Sequence, residues 1–265
     1  MHEAHVKDIY QWLDGVAPFE TAEDFDNVGL LVGKMEAPVR NVLVALDATI
    51  SVIEEAAQKG VQLIITHHPL MFRPIQRILW DTPEGQALSS LIKNNISLIA
   101  AHTNMDKTWH SGSACLAENL QLGQVRKADD YLFVIDLRKP LTAGELENYF
   151  EQKLSRKVIR FGNLNTVVYK LAVAGGAYDE GYESARSFGA QALLTGEVRH
   201  HNAVAAAQSG IVLFEGGHHE TEVPMIKPLC QGLQKALDGL EYKVKVFCSS
   251  APIYECRIPE REVIR

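Results

Sequence analysis

The sequence predicts an α/β protein built as two similar lobes that face one another across a cleft. Three observations carry this. Short apolar runs alternate with helical patterns along nearly the whole chain, which is the signature of β-α-β units. Residues 42–68 and 171–197 superpose without a gap at an offset of 129. Three groups of histidines and carboxylates each follow a short apolar run, as expected of side chains delivered at strand ends.

The elements follow in order. Val6, Ile9, Tyr10 and Leu13 fall at helical spacing, so residues 4–14 form a first helix, ended by Gly15 and Pro18. Phe25 to Gly33 is a turn entering a short strand. Val42–Leu46 and Leu63–Ile65 are buried strands joined by a helix that Ser51-x-x-Glu54 opens and Gly60 stops. The two strands are therefore parallel. Thr82-Pro83 starts a helix that ends near Asn94, with threonine as its cap and proline in its first turn. Ser97–Ala100 is a strand and 113–121 a helix.

After a polar connection from Gly123 to Asp130 the pattern begins again. Tyr131–Leu137 is a strand, and Thr142-x-x-Glu145 caps a helix to Leu154. Val167–Ala174 is a strand, Asp179–Phe188 a helix, Ala192–Thr195 a strand, and Ala203–Gln208 helical. Ile211–Phe214 is a strand, Met225–Leu237 the last helix and Tyr242–Phe247 the last strand. The expected division is a first lobe over 1–128 and a second over 129–265, with no inserted domain.

The repeat explains the division. Val44/Val173, Ala45/Ala174, Ala48/Ala177, Glu54/Glu183, Ala56/Ala185, Gly60/Gly189, Gln62/Gln191 and Thr66/Thr195 are identical pairs. Both copies read strand, turn, helix, glycine stop, strand, threonine. One copy continues to a strand and His102-x-x-x-Asp106, the other to a strand and His218-x-x-x-Glu222.

Bulk properties narrow the function. The 265 residues are 46% hydrophobic and 22% charged, an ordinary globular composition. A net charge of −7 argues against a nucleic-acid partner. The start Met-His-Glu-Ala-His has no apolar leader, and no apolar run approaches a membrane span. Cys115, Cys230, Cys248 and Cys256 form no C-x-x-C pair and read as reduced thiols of a cytoplasmic protein. Neither a phosphate loop, nor H-E-x-x-H, nor a G-x-S-x-G elbow is present.

The histidine groups are Thr66-His67-His68-Pro69, His102-x-x-x-Asp106 and Gly217-His218-His219-Glu220-Thr221-Glu222. Imidazoles and carboxylates without thiolates suit Fe, Zn, Mn, Co or Ni. Carboxylates can bridge two such ions, and a water bound between them ionises near neutral pH. Glu197, His200 and His201 follow the second copy where the first has His67-His68, so they are candidates to line the same pocket. Gly175-Gly176 reads as a tight turn.

Together with Asp26-Asn27-Val28-Gly29-Leu30 and Thr195-Gly196-Glu197, these motifs resemble the Nif-three-like dinuclear metal-centre proteins, often labelled GTP cyclohydrolase type 2 homologues. The resemblance covers nearly the whole chain. It implies two divalent ions held by His67, His68, Asp106, His218 and Glu222, with His102 in the same pocket. It also implies a ring-shaped homohexamer of two-lobed chains, in a short form without an insertion. The family usually has aspartate where Glu197 stands. A hydrolase acting through an activated water is the leading expectation, with His102 or His201 moving a proton. A nucleotide ring, an amide and a phosphoester are the candidate substrates. The alternative is a metal chaperone, insertion factor or regulator without catalysis.

Overall fold

The computed structural model describes residues 2–252. Its first half contains β1 (Ala4–His5), α1 (Val6–Val16), β2 (Gly29–Val32), β3 (Pro38–Val39), β4 (Asn41–Ala45), α2 (Ile50–Gln58), β5 (Leu63–Thr66), α3 (Pro83–Lys93), β6 (Ser97–Ala100), α4 (Thr103–Asp106) and α5 (Gly112–Leu120). Next come β7 (Gly123–Lys127), β8 (Phe133–Thr142), α6 (Ala143–Leu154), β9 (Ile159–Phe161), β10 (Val167–Val173), α7 (Tyr182–Ser187) and β11 (Ala192–Thr195). The last elements are α8 (His200–Gln208), β12 (Val212–Glu215), α9 (His218–Glu222), α10 (Ile226–Gly239) and β13 (Lys245–Cys248).

The strands form two sheets, of order β13-β4-β5-β6-β2 and β7-β8-β10-β11-β12-β9, beside a small β1-β3 ribbon. Each sheet has three central parallel strands, β4-β5-β6 in one and β10-β11-β12 in the other. Strands β4, β5, β6, β11 and β12 are apolar and almost wholly buried, as strands covered on both faces must be, whereas β10 exposes Val167 and Tyr169 and is buried over Leu171–Val173. The repeat is thus real at the level of strands. Its identical residues also do the same work. Gln62 accepts from the amides of Arg40 and Asn41 and donates to Gly60 O, while Gln191 accepts from Tyr169 and Lys170 and donates to Gly189 O. Each glutamine ties one strand to the turn before the next, Gln62 at the start of β4 and Gln191 at the middle of β10.

Local signals set most boundaries. Thr82 accepts from Gly85 N, and the Thr142–Glu145 capping box is present on both sides. At α2 the cap is Thr49 rather than Ser51: its hydroxyl accepts from Val52 N, so the helix begins earlier than the Ser51-x-x-Glu54 pattern implies. The stretch expected to be a polar connection is the edge strand β7, antiparallel to β8 with alternating exposure. An edge strand needs only one apolar face, so its composition looks like a loop. The short edge strand β9 also had no local signature.

The boundary expected at 128/129 does not separate the sheets. Helix α5, from the first half, contributes Ala114, Leu116, Ala117 and Leu120 to the second lobe's core, beside Phe150 and Phe214. Helix α10, from the second half, contributes Leu229, Cys230, Leu233 and Leu237 to the first lobe's core, beside Ile9 and Leu13. Strand β13 then pairs in parallel with β4. Each lobe lends the other the helix that follows its last histidine-bearing turn. A long-range exchange of this kind leaves no mark in local periodicity. Among the described residues no helix is long and apolar enough to cross a membrane.

Candidate metal centre

The carboxyl ends of the parallel strands of both sheets converge on one place, where α/β sheets hold their ligands. In the first lobe β4 delivers Asp47, β5 delivers His67 and His68, and β6 runs into His102 and α4. In the second, β10 leads to Gly175-Gly176, β11 to Glu197, and β12 to His218 and Glu222 on α9. Gly217 precedes α9 with φ +89°, a backbone that side chains rarely adopt, and this sharp entry turns His218 toward the cleft.

Four imidazoles are oriented in the same way. Each uses Nδ1 outward: His67 toward Ala101 O at 3.0 Å, His68 toward Asp47 at 2.8 Å, His102 toward Asp26 at 3.0 Å and His218 toward Glu197 at 2.7 Å. Each then turns Nε2 inward. Partners of this kind fix the tautomer and aim of metal-binding histidines. Glu197 occupies the repeat position of His68, so the position that carries an inward-facing imidazole in one lobe carries an orienting carboxylate in the other.

The inward atoms crowd together. His67 Nε2 lies 3.5 Å from Asp106 Oδ1 and 3.9 Å from Glu222 Oε1. Glu222 Oε2 lies 3.1 Å from His68 Nε2 and 3.2 Å from His218 Nε2. His67, His68 and His102 form one set able to hold a cation, and His68, His218 and Glu222 a second. Buried His67 Nε2, His218 Nε2 and Glu222 Oε2 have no hydrogen bond of acceptable geometry. Unpartnered polar atoms cost too much to be left facing one another without a function. The donor chemistry fits a divalent transition ion.

Charge reinforces the picture. Burial pushes the His67 pKa down, so its ring is neutral and Nε2 keeps its lone pair. Burial opposes the charging of His68, but Asp47 and Glu222 overcome it and raise its pKa to about 10. Glu222 is the main cause of the rise of His218 to about 9. Glu222 is itself buried, yet the His218 and His68 rings close beside it hold it far below the usual carboxylate range. Burial likewise works against Asp26, but hydrogen bonds from His102 and Thr103 keep it ionised. Desolvation raises Asp106.

The geometry thus gathers His67, His68, His102, Asp106, His218 and Glu222. His200 and His201 are exposed on the first turn of α8 and do not line the cleft, so their position lends nothing to a proton-moving role for His201. Asp47 was missed as an orienting group, although a carboxylate directly after a buried strand was the available signal. Gly176 was read only as a turn. Its φ is +65°, and a Cβ placed there would stand 2.2 Å from Glu222 Oε1, so it forms the wall against which that carboxylate rests.

A cavity of about 440 Å³ opens from the metal centre between the lobes. Phe25, Tyr131 and Tyr178 give it apolar walls, and Glu23, Asp106 and Glu222 give it acidic ones. Tyr131 donates to Glu23, which also pairs with Lys107 at 2.7 Å, so the lobes are clasped at its mouth. A wider groove of about 880 Å³ lies where β4 and β13 begin, and among the described residues it gathers no ligand set.

A family model described as Duf34/NIF3 (NGG1p interacting factor 3) matches residues 4–252. The chain belongs to this family. A relative from Clostridium perfringens, called GTP cyclohydrolase 1 type 2 homolog, is 34% identical over 243 residues, covering 88% of this chain and 93% of that one. A relative of the same name from Clostridium acetobutylicum is 31% identical over 257 residues, covering 92% and 95%. Among solved structures, a Staphylococcus aureus protein superposes with TM-score 0.90 at 25% identity over 97% of this chain and 99% of that chain. A Bacillus cereus protein related to NIF3 gives 0.91 at 21% identity, over 98% and 100%, a likeness of fold alone.

Proposed function

We propose that this NIF3-family chain holds two divalent cations between its lobes and uses them in hydrolysis. The observation that carries the reading is His67 Nε2: a buried, neutral imidazole nitrogen with Nδ1 already committed and no donor in reach. Two positions, rather than one, are supported by the separation of the donors. His102 and His218 belong to different sets, while His68 belongs to both. Asp106 and Glu222 supply the negative charge, and Asp47, Asp26 and Glu197 hold the rings.

Cations bound there acidify water and polarise an ester, amide or heterocycle presented to them. The chain's own part is to exclude bulk solvent with Phe25, Tyr131 and Tyr178 and to keep the imidazoles aimed. His102, backed by ionised Asp26, is the residue placed to hold a proton if it is not itself a ligand. The name borne by the clostridial relatives supports a nucleotide ring as one substrate to try. The ring-shaped homohexamer remains part of the proposal. Phe72, Ile78 and Trp80 support burial in an assembly, being 45%, 52% and 75% exposed on one stretch.

The test is elemental analysis of protein purified without chelator, beside His67→Ala and Glu222→Ala. About two ions per chain, lost in both variants while circular dichroism is unchanged, is the expected result. Metal-loaded protein is then screened against nucleotides, amides and phosphoesters, and light scattering gives the mass of the assembly. Absence of bound metal in the parent overturns the reading.

A further inference from the structure

Away from the metal centre, α10 and β13 form a helix-turn-strand hairpin whose register can be read from one residue. Gln234 on α10 donates to Val244 O at 3.0 Å and accepts from Val246 N at 2.8 Å. The chain reverses between these elements, so α10 and β13 run antiparallel. One helical turn back from Gln234, about 6 Å along the axis, stands Cys230. Two residues on from Val246, about 6.6 Å along the strand, stands Cys248. The two cysteines are therefore level. They also face each other. Val246 packs on the core that contains Leu229, Cys230 and Leu233, and Cys248 shares its face of the strand, whereas Phe247 between them packs on the opposite core.

We propose that Cys230 and Cys248 form a reversible disulfide that clamps the edge strand β13 to α10. Their environments divide the labour. Cys248 is exposed and free, while Cys230 is 5% exposed and free. Burial, with the neighbouring Cys248, pushes the Cys230 thiol up, so Cys248 is the thiol that reacts first. With a small disulfide such as oxidised glutathione as oxidant, the Cys248 thiolate attacks one sulfur and expels one glutathione thiolate. Cys230 then gives up its proton, attacks Cys248 Sγ and expels the second. Two protein thiols are oxidised to one disulfide, and one glutathione disulfide is reduced to two thiols. Cys115, buried in the same core, donates instead toward His110 O and takes no part. The clamp closes a loop from 230 to 248 and locks the strand by which the C-terminal part of the chain joins the first sheet.

The test treats the full-length chain with oxidised glutathione, blocks free thiols and maps peptides by mass. The expected product is a Cys230–Cys248 linked peptide, two hydrogens lighter than the reduced pair and restored by dithiothreitol. The thermal midpoint should rise by several degrees on oxidation, and Cys248→Ser, an exposed substitution, should abolish both changes. Cys248 left as a glutathione mixed disulfide with Cys230 still free, or joined to Cys256, overturns the proposal.

Discussion

His68 and Glu222 come from different lobes and stand 3.1 Å apart at Nε2 and Oε2. Neither lobe could hold a cation between them without the other. The two sheets are therefore fastened together by the same atoms that form the candidate centre, and perturbing one should disturb the other.

Glu222 lies within 4 Å of three imidazoles. Glu222→Gln keeps its shape and removes its charge. Metal content by elemental analysis should fall by at least half, with the fold retained by circular dichroism. Full retention of metal would remove Glu222 from the ligand set.

The orienting carboxylates should have a milder effect. Asp47→Asn and Glu197→Gln each leave the ligand atoms present but release an Nδ1 partner. Metal affinity should drop roughly 10–100-fold, with stoichiometry restored at high metal concentration. A competition titration against a chelating dye measures it.

Metal uptake should release protons. His68 and His218, raised to about 10 and about 9, carry protons at pH 7 in the metal-free chain, whereas a ligand imidazole must be neutral. A raised pKa favours the protonated, metal-free form at low pH, and that competition fades as pH climbs toward those values. Affinity should therefore rise steadily from pH 6 to pH 9. Calorimetry at pH 7 in buffers of different ionisation enthalpy should show about two protons released per chain.

Gly176→Ala tests the wall behind Glu222. The new methyl group would collide with Oε1 and must also accept φ +65°. The expected outcome is metal affinity lowered at least tenfold and a destabilisation of about 1–2 kcal/mol by thermal melting.

The exchange of helices predicts that neither half folds alone. A fragment of residues 1–128 lacks α10 and β13, leaving Val6, Ile9 and Leu13 without the helix that covers them. It should be aggregated or unfolded by circular dichroism. Adding a 129–265 fragment during refolding should restore native structure.

Much of this protein was legible in one dimension. Buried parallel strands announce themselves as apolar runs because both faces are covered, which is why β5, β6 and β11 lie where the sequence places them. The repeat was visible because Gln62 and Gln191 perform one backbone task twice. The histidine groups were visible because they sit directly after such strands, where α/β sheets place functional side chains. By itself the sequence determined two related sheets and the side chains at their ends. Only the tertiary structure decided which groups orient the imidazoles, that Asp47 and Glu197 back His68 and His218, that Gly176 makes room for Glu222, and that α5 and α10 trade lobes. Those relations join residues tens to hundreds of positions apart, and distance in space between such residues is settled by packing rather than by local pattern.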